Sequence, residues 1–230
     1  MKYLAVIPAR GGSQRLPNKN ILTLNNKPLL QWTIDFAMSL QNIEDVVLST
    51  DSQTIIDSIE PKEILLPWLR PSYLSTDNSL TSDVCLHALE WYEKTLGHVD
   101  AVITLQPTSP FRSLDTFEKA RGLFELHETK TVLTVIGQSF KRDSLWYRDS
   151  DVLKRLRDIP SLWSGQLLND ELVYPSGNLY ITNANYLKQH KSLLSPNMIS
   201  LKSINRYEDI DIDEVADFEL ANIIAKYLTE

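Results

Sequence analysis

Two hydrophobic periods alternate along the chain. Short apolar runs rich in β-branched residues give way to longer stretches in which apolar residues recur every third or fourth position. The first pattern marks buried strands and the second amphipathic helices. Tyr3–Ile7 reads as a strand, Leu29–Leu40 as a helix opened by Pro28, and Asp45–Ser49 as a second strand. Ser52–Ile59 reads as a helix and Glu63–Leu66 as a short strand ahead of Pro67. Thr81–Leu96 is the clearest amphipathic helix, with Cys85, Ala88, Leu89, Tyr92 and Leu96 on one face and Thr81 or Ser82 placed to cap it. Ala101–Leu105 is a strand, Ser113 caps a helix to about Leu126, and Thr131–Ile136 and Asn178–Thr182 are strands. Asp213–Leu228 closes the chain as a helix with Phe218, Ala221, Ala225 and Leu228 on one stripe.

This βαβα order, with near-continuous apolar strands, predicts an α/β fold: a mostly parallel sheet with helices on both faces, in a single domain spanning residues 1–230. Ligands of such sheets sit beyond the carboxyl ends of the strands. Residues 137–176 break the rhythm, with Trp146, Tyr147, Trp163 and Tyr174 scattered among charges. That excursion is either an irregular lid or a surface that packs against another subunit.

Bulk composition narrows the function. A formal net charge of -7 argues against general nucleic-acid or anionic-membrane binding. The single cysteine, Cys85, excludes a disulfide framework and a cysteine-rich zinc site, and its place on a helix face suits a small core residue. No signal peptide and no bilayer-spanning run is apparent, so a cytoplasmic location is the expectation.

Against that acidic background the loop after the first strand is cationic. It reads Arg10-Gly11-Gly12-Ser13-Gln14-Arg15-Leu16-Pro17-Asn18-Lys19-Asn20, with no acidic residue before Asp35. Adjacent glycines let backbone N–H groups approach an anion, and Arg10, Arg15 and Lys19 supply charge. A small polyanion such as a nucleoside triphosphate fits. The spacing matches neither the Walker A loop nor the dinucleotide fingerprint, and Pro17 and Pro28 are expected to keep the segment extended.

Near the other end, Ile210-Asp211-Ile212-Asp213 alternates apolar and acidic residues. In an extended segment both carboxylates point one way and both isoleucines the other. Such a pair suits Mg²⁺ on a triphosphate, or else Asp213 simply caps the last helix. Asp51, ending Ser49-Thr50-Asp51, has the same two readings, ordering the site loops or capping the next helix, and capping is favoured. None of the four histidines falls among these motifs, and no general base emerges.

The string from Ala5 to Asn20 resembles the nucleotide signature of the acylneuraminate cytidylyltransferases, which make CMP-sialic acid and related CMP-nonulosonates. Arg70-Pro71 with Ser75-Thr76-Asp77 and Thr81-Ser82-Asp83 is similar to the family's second nucleotide segment. Leu105-Gln106-Pro107-Thr108-Ser109-Pro110 resembles its Leu-Gln-Pro-Thr-Ser-Pro loop, and Ser176-Gly177-Asn178-Leu179-Tyr180-Ile181 its Asn-Gly-Ala-Ile-Tyr-Ile strand.

The resemblance implies a Rossmann-like nucleotidyltransferase that transfers CMP from CTP to the anomeric hydroxyl of a 2-keto sugar acid and releases pyrophosphate. It assigns Arg10, Gly11, Gly12, Ser13 and Lys19 to the triphosphate and Asn20, Arg70 and Ser82 to cytosine or ribose. Gln106 and Tyr180 go to the acceptor sugar, with Lys141, Arg142, Arg155 or Arg157 of the irregular segment as the source of charge for its carboxylate, and Asp211 and Asp213 go to Mg²⁺. Catalysis would rest on Arg10, Lys19, Asp211 and Asp213. A homodimer, with residues 137–176 reaching into the neighbour's site, is also implied. Where sialate-activating relatives carry an arginine for the sugar carboxylate, this chain reads Ser164-Gly165-Gln166. The alternatives are a Kdo or other sugar nucleotidyltransferase on the same scaffold, or a CTP-binding protein without catalysis.

Overall fold

The computed structural model describes residues 1–60, 63–127, 129–138, 146–149, 152–155 and 172–229. The chain divides into two compact units, Met1–Val135 with Ser176–Glu230, and Ile136–Pro175.

In the larger unit the strands β1 (Tyr3–Pro8), β4 (Ile43–Ser49), β5 (Ala101–Thr104), β6 (Thr131–Gln138), β9 (Leu172–Asn183) and β10 (Ile199–Lys202) form one sheet in the order β10-β6-β9-β5-β1-β4. β1 runs parallel to β4 and β5, and β10 parallel to β6, while β9 pairs antiparallel with β5. Thr23–Leu24 (β2) and Lys27–Pro28 (β3) make a small antiparallel pair. The segment from Pro17 to Pro28 is therefore folded, with a 3₁₀ turn at Lys19–Ile21, and is not the extended run that its prolines suggested.

Alternation along each strand divides the core between the two faces of the sheet. Tyr3, Ala5 and Ile7 enter one cluster with Val46, Leu48, Ala101 and Ile103, covered by α1 (Leu29–Ser39) and α4 (Leu114–Leu126). Leu4, Val6, Val47 and Val102 enter the other, covered by α3 (Thr81–Thr95) and α5 (Ala184–His190). A third cluster gathers Leu16, Leu24, Leu29, Phe111 and Ile212 under Ala221 and Ala225 of α6 (Val215–Thr229). Among the described residues no helix is long and apolar enough to cross a membrane.

Several local expectations change. Leu96 lies past the end of α3 and is 54% exposed, so the buried face stops at Tyr92. Leu80, not Thr81 or Ser82, occupies the N-cap position of α3, and no side chain caps it. Glu63–Leu66 is reduced to one parallel bridge between Leu65 and Val47. α5 and β10 have no counterpart in the pattern reading: α5 is too short for a clear period, and β10 is buried at only one central position. Leu228 is exposed. In the smaller unit, β7 (Trp146–Asp149) and β8 (Val152–Arg155) form an antiparallel pair inside the stretch expected to be irregular.

Candidate nucleotide site

The site forms where β1 and β5 end. Pro8 carries no N–H to extend the ladder, and the backbone leaves the sheet after Ala9 N–H donates to the Ser49 carbonyl at 2.9 Å. The loop that follows is tied down at both ends. Leu16 is buried in the third core cluster, and Asn18 takes a left-handed conformation (φ 57°), which asparagine tolerates, to start the turn at Lys19. Asn20 Nδ2 donates to the Arg10 carbonyl at 2.8 Å and closes the loop on itself.

The resulting cleft has a volume of about 540 Å³, within the usual range of ligand pockets. Of the residues anticipated from sequence, Arg10, Gly12, Ser13, Lys19, Asn20, Arg70, Gln106 and Asp213 line it together. Arg15 and Asp77 join them, so the lining holds four cationic side chains against two carboxylates in a chain of net charge -7. A local positive excess of this kind selects anions.

Each cation has a fixed partner. Arg10 Nη1 meets Asp77 Oδ1 at 2.7 Å, and Gln14 Nε2 donates to the other oxygen of the same carboxylate. Lys19 Nζ donates to the Ile212 carbonyl at 2.7 Å and meets Asp213 Oδ1 at 3.2 Å, while Arg15 Nη2 lies 2.8 Å from Asp213 Oδ2. Arg70 is buried, and its Nη2 is 3.7 Å from Asp51 Oδ1. Burial pulls the Arg70 guanidinium below its ordinary pKa, and Asp51 opposes that shift.

In the acidic segment Ile210 and Ile212 pack into the third core cluster as the alternation predicts, but of the two aspartates only Asp213 lines the cleft. Ile212 is fully buried and its N–H donates to the Thr108 carbonyl at 2.8 Å, which seats the segment on the loop after β5. Asp213 emerges into the cleft. α6 starts two residues further on, at Val215, and Asp217 in its first turn reaches back, its Oδ2 accepting the N–H groups of Asp213 and Glu214 at 2.9 Å each. Asp211 is an exposed residue whose carboxyl is nevertheless held above the ordinary carboxylate range. Loss of water around the group is the main cause, the charge of Asp213 adds to it, and Thr108 and Lys19 oppose it. A cation between the two carboxylates would relieve that repulsion, and an all-oxygen donor set beside a polyanion cleft fits Mg²⁺.

The other anticipated residues among those described do not line the cleft. Gly11 turns its N–H to Asp51 Oδ1 at 2.8 Å, so that donor is not presented to a ligand. Ser82 is buried in the first turn of α3. Tyr180 pairs with Thr104 across the β9–β5 ladder and packs on the second core cluster. Lys141, Arg142 and the Ser164-Gly165-Gln166 stretch lie outside the described residues. Asp51 does not cap the helix that follows (α2, Gln53–Ser58), because Ser52 Oγ accepts the Ile55 N–H at 3.3 Å.

Sequence reasoning passed over Arg112. Its Nη2 donates to the Gln106 carbonyl at 2.7 Å, its Nε to the Asn178 carbonyl at 2.9 Å, and its Nη1 to Thr33 Oγ1 at 3.0 Å. Asn178 in turn donates to the carbonyls of Phe111 and Glu208 at 2.8 Å each. This buried network fixes the Gln106 loop against β9. Its only sequence signal is an arginine directly after an apolar Pro-Phe step.

A cationic cleft at the strand ends of an α/β sheet has the position and the charge that an anionic ligand such as a nucleotide requires. The chain belongs to the cytidylyltransferase family, whose model matches residues 4–160. It is 36% identical over 225 residues to a CMP-N,N'-diacetyllegionaminic acid synthase of Legionella pneumophila, covering 96% of this chain and 94% of that one. It is 26% identical to a pseudaminic acid cytidylyltransferase of Campylobacter jejuni, over 98% of this chain and 97% of the other. It is 31% identical to an N-acylneuraminate cytidylyltransferase of Escherichia coli over 96% of this chain, which spans 51% of that longer protein. Among solved structures, a CMP-2-keto-3-deoxy-manno-octonic acid synthetase complexed with CTP superposes with a TM-score of 0.68 at 16% identity, covering 99% of this chain and all of the other. A 4-diphosphocytidyl-2C-methyl-D-erythritol synthase from Anaerococcus prevotii superposes at 0.64 and 18% identity, covering 99% of this chain and 98% of that one. At these identities the two structures speak for the fold.

Proposed function

We propose that the protein transfers CMP from CTP to the anomeric hydroxyl of a nonulosonate, a nine-carbon 2-keto sugar acid, and releases pyrophosphate. The observation that carries this reading is the convergence of Arg10, Arg15, Lys19 and Arg70 on one cleft of an acidic protein, with Asp213 at its edge. The near-full-length likeness to relatives named for legionaminic and pseudaminic acid supports the acceptor class.

In this reaction the anomeric oxygen forms a bond to the α-phosphorus, the bond to the β-phosphate oxygen breaks, and the hydroxyl proton is lost. The protein's part is to position the reactants and stabilise charge. Lys19 and Arg15, which hold Asp213 here, would turn to the departing pyrophosphate. Arg10 would neutralise the phosphates beside Gly12 and Ser13. Arg70, Asn20 and the start of α3 would hold the nucleoside, and Gln106, with Tyr180 nearby, would border the acceptor. Asp211 and Asp213 would hold Mg²⁺, which when bound polarises the α-phosphate and offsets its negative charge. A homodimer is proposed on the family resemblance, and light scattering of the purified protein tests it.

The deciding experiment measures pyrophosphate release with CTP and Mg²⁺ against N,N'-diacetyllegionaminic, pseudaminic, N-acetylneuraminic and Kdo acids, for wild type and Asp211→Ala. Release with a nonulosonate, lost in the variant, is the expected result. Release with Kdo alone would replace the acceptor class. CTP binding without release for any acid would favour a non-catalytic binder.

A further inference from the structure

Taking the cleft as a CTP site, we propose that Asp51 is a positioning residue that sets the glycine loop and the Arg70 guanidinium with one carboxylate oxygen. Asp51 Oδ1 accepts the Gly11 N–H at 2.8 Å, and the same oxygen lies 3.7 Å from Arg70 Nη2. The main chain repeats the link, since Arg70 N–H donates to the carbonyl of Thr50 at 2.7 Å. The loop after β4 therefore connects the two walls of the cleft, one carrying the glycine loop and the other Arg70.

Both walls depend on that connection for physical reasons. The Arg70 side chain is 3% exposed, and its Nε and Nη2 have no hydrogen-bond partner among the described residues. A buried guanidinium with unpaired donors is held by shape and by nearby opposite charge, and it is costly to misplace. Like charge from Arg10 disfavours it further, and Asp51 opposes that repulsion. On the other wall, a Cβ at Gly11 would stand 2.8 Å from Ser52 Cβ, so the loop is pressed against residues 51–52 with no room for a side chain. Ser52 already caps α2, which leaves the Asp51 carboxylate without a local task. Asp51 does not line the cleft, so its influence runs through Gly11 and Arg70.

The test separates the two links. Asp51→Asn keeps an oxygen acceptor for Gly11 but drops the charge facing Arg70, whereas Asp51→Ala drops both. Binding of CTP and of inorganic tripolyphosphate is measured calorimetrically with chelator present, so that the acidic pair plays no part, and thermal midpoints are read alongside. We expect Asp51→Asn to weaken CTP by about five-fold or more and to leave tripolyphosphate within about two-fold, while Asp51→Ala weakens both by about five-fold or more. Selective rescue of tripolyphosphate by asparagine is a pattern that general loss of structure does not produce. Equal losses in the two variants on both ligands, or no loss in either, would overturn the proposal. A wild type that binds tripolyphosphate but binds CTP no more tightly would overturn the CTP reading and the proposal together, and shows itself before any variant is made.

Discussion

Lys19 and Asp213, 194 residues apart in sequence, meet at 3.2 Å across the cleft, with the lysine side chain only 12% exposed. Arg15 holds the second oxygen of the same carboxylate at 2.8 Å, so the acid proposed for the metal already carries two cations. In the protein without nucleotide these cations compete with a metal. Arg15→Ala is therefore expected to tighten Mn²⁺ binding by about two- to five-fold, the equivalent of one exposed ion pair, and Asp213→Asn to weaken it below wild type. Paramagnetic resonance of free Mn²⁺ reads both, and unchanged affinity in Arg15→Ala would remove the competition.

Arg112 holds three acceptors on three segments. Burial lowers the pKa of its guanidinium and Glu208 opposes the shift, yet an arginine in such a setting keeps its charge. Arg112→Ala should destabilise the fold by about 3 kcal/mol in denaturant titrations, since it leaves buried carbonyls unpaired. Arg112→Lys should recover little of that loss, because a single ammonium cannot span the same three acceptors.

Gly177 has φ +78°, and a Cβ there would stand 2.9 Å from Gln106 Oε1. Gly177→Ala is expected to cost about 1–2 kcal/mol from backbone strain and to displace the Gln106 side chain. Steady-state kinetics should show a raised KM for the acceptor with KM for CTP unchanged. Gln106→Ala should reproduce the kinetic change without the loss of stability.

Burial pushes the Cys85 thiol up to about 12 from 9.0. Tyr3 and Tyr92 shift the same way, mainly through burial and then through hydrogen bonds to Glu125 and Asp45. All three groups keep their protons in the native state at pH values where the unfolded chain releases them. The native state binds more protons, so stability falls as pH rises, beginning near pH 9 for Cys85 and continuing to about 12. Urea midpoints across this range should decline. Cys85→Ser, which cannot ionise there and keeps a hydroxyl for Thr104, should decline less steeply by up to about 1.4 kcal/mol per pH unit.

The sequence by itself determined the central strands and the longer helices, and the faces that they bury. Odd-numbered Tyr3, Ala5 and Ile7 and even-numbered Leu4 and Val6 enter opposite clusters because side-chain direction alternates with every residue of a strand. A cationic glycine loop and an alternating acidic pair are also local patterns, so Arg10, Lys19 and Asp213 stood out as candidates, and the family resemblance assigned them to one site; the structure lines one cleft with all three. Only the tertiary structure decided partners. A lone aspartate reads as a cap or as a counter-ion, and packing gave the cap of α2 to Ser52 while turning Asp51 to Gly11 and Asp213 to Lys19 and Arg15. Likewise, β9 sits antiparallel beside β5, and Arg112 gathers residues 33, 106 and 178. Most of these pairings join segments tens of residues apart or more. Their energies come from burial and hydrogen bonding that exist only after the sheet has brought the segments together, so no local period of the chain encodes them.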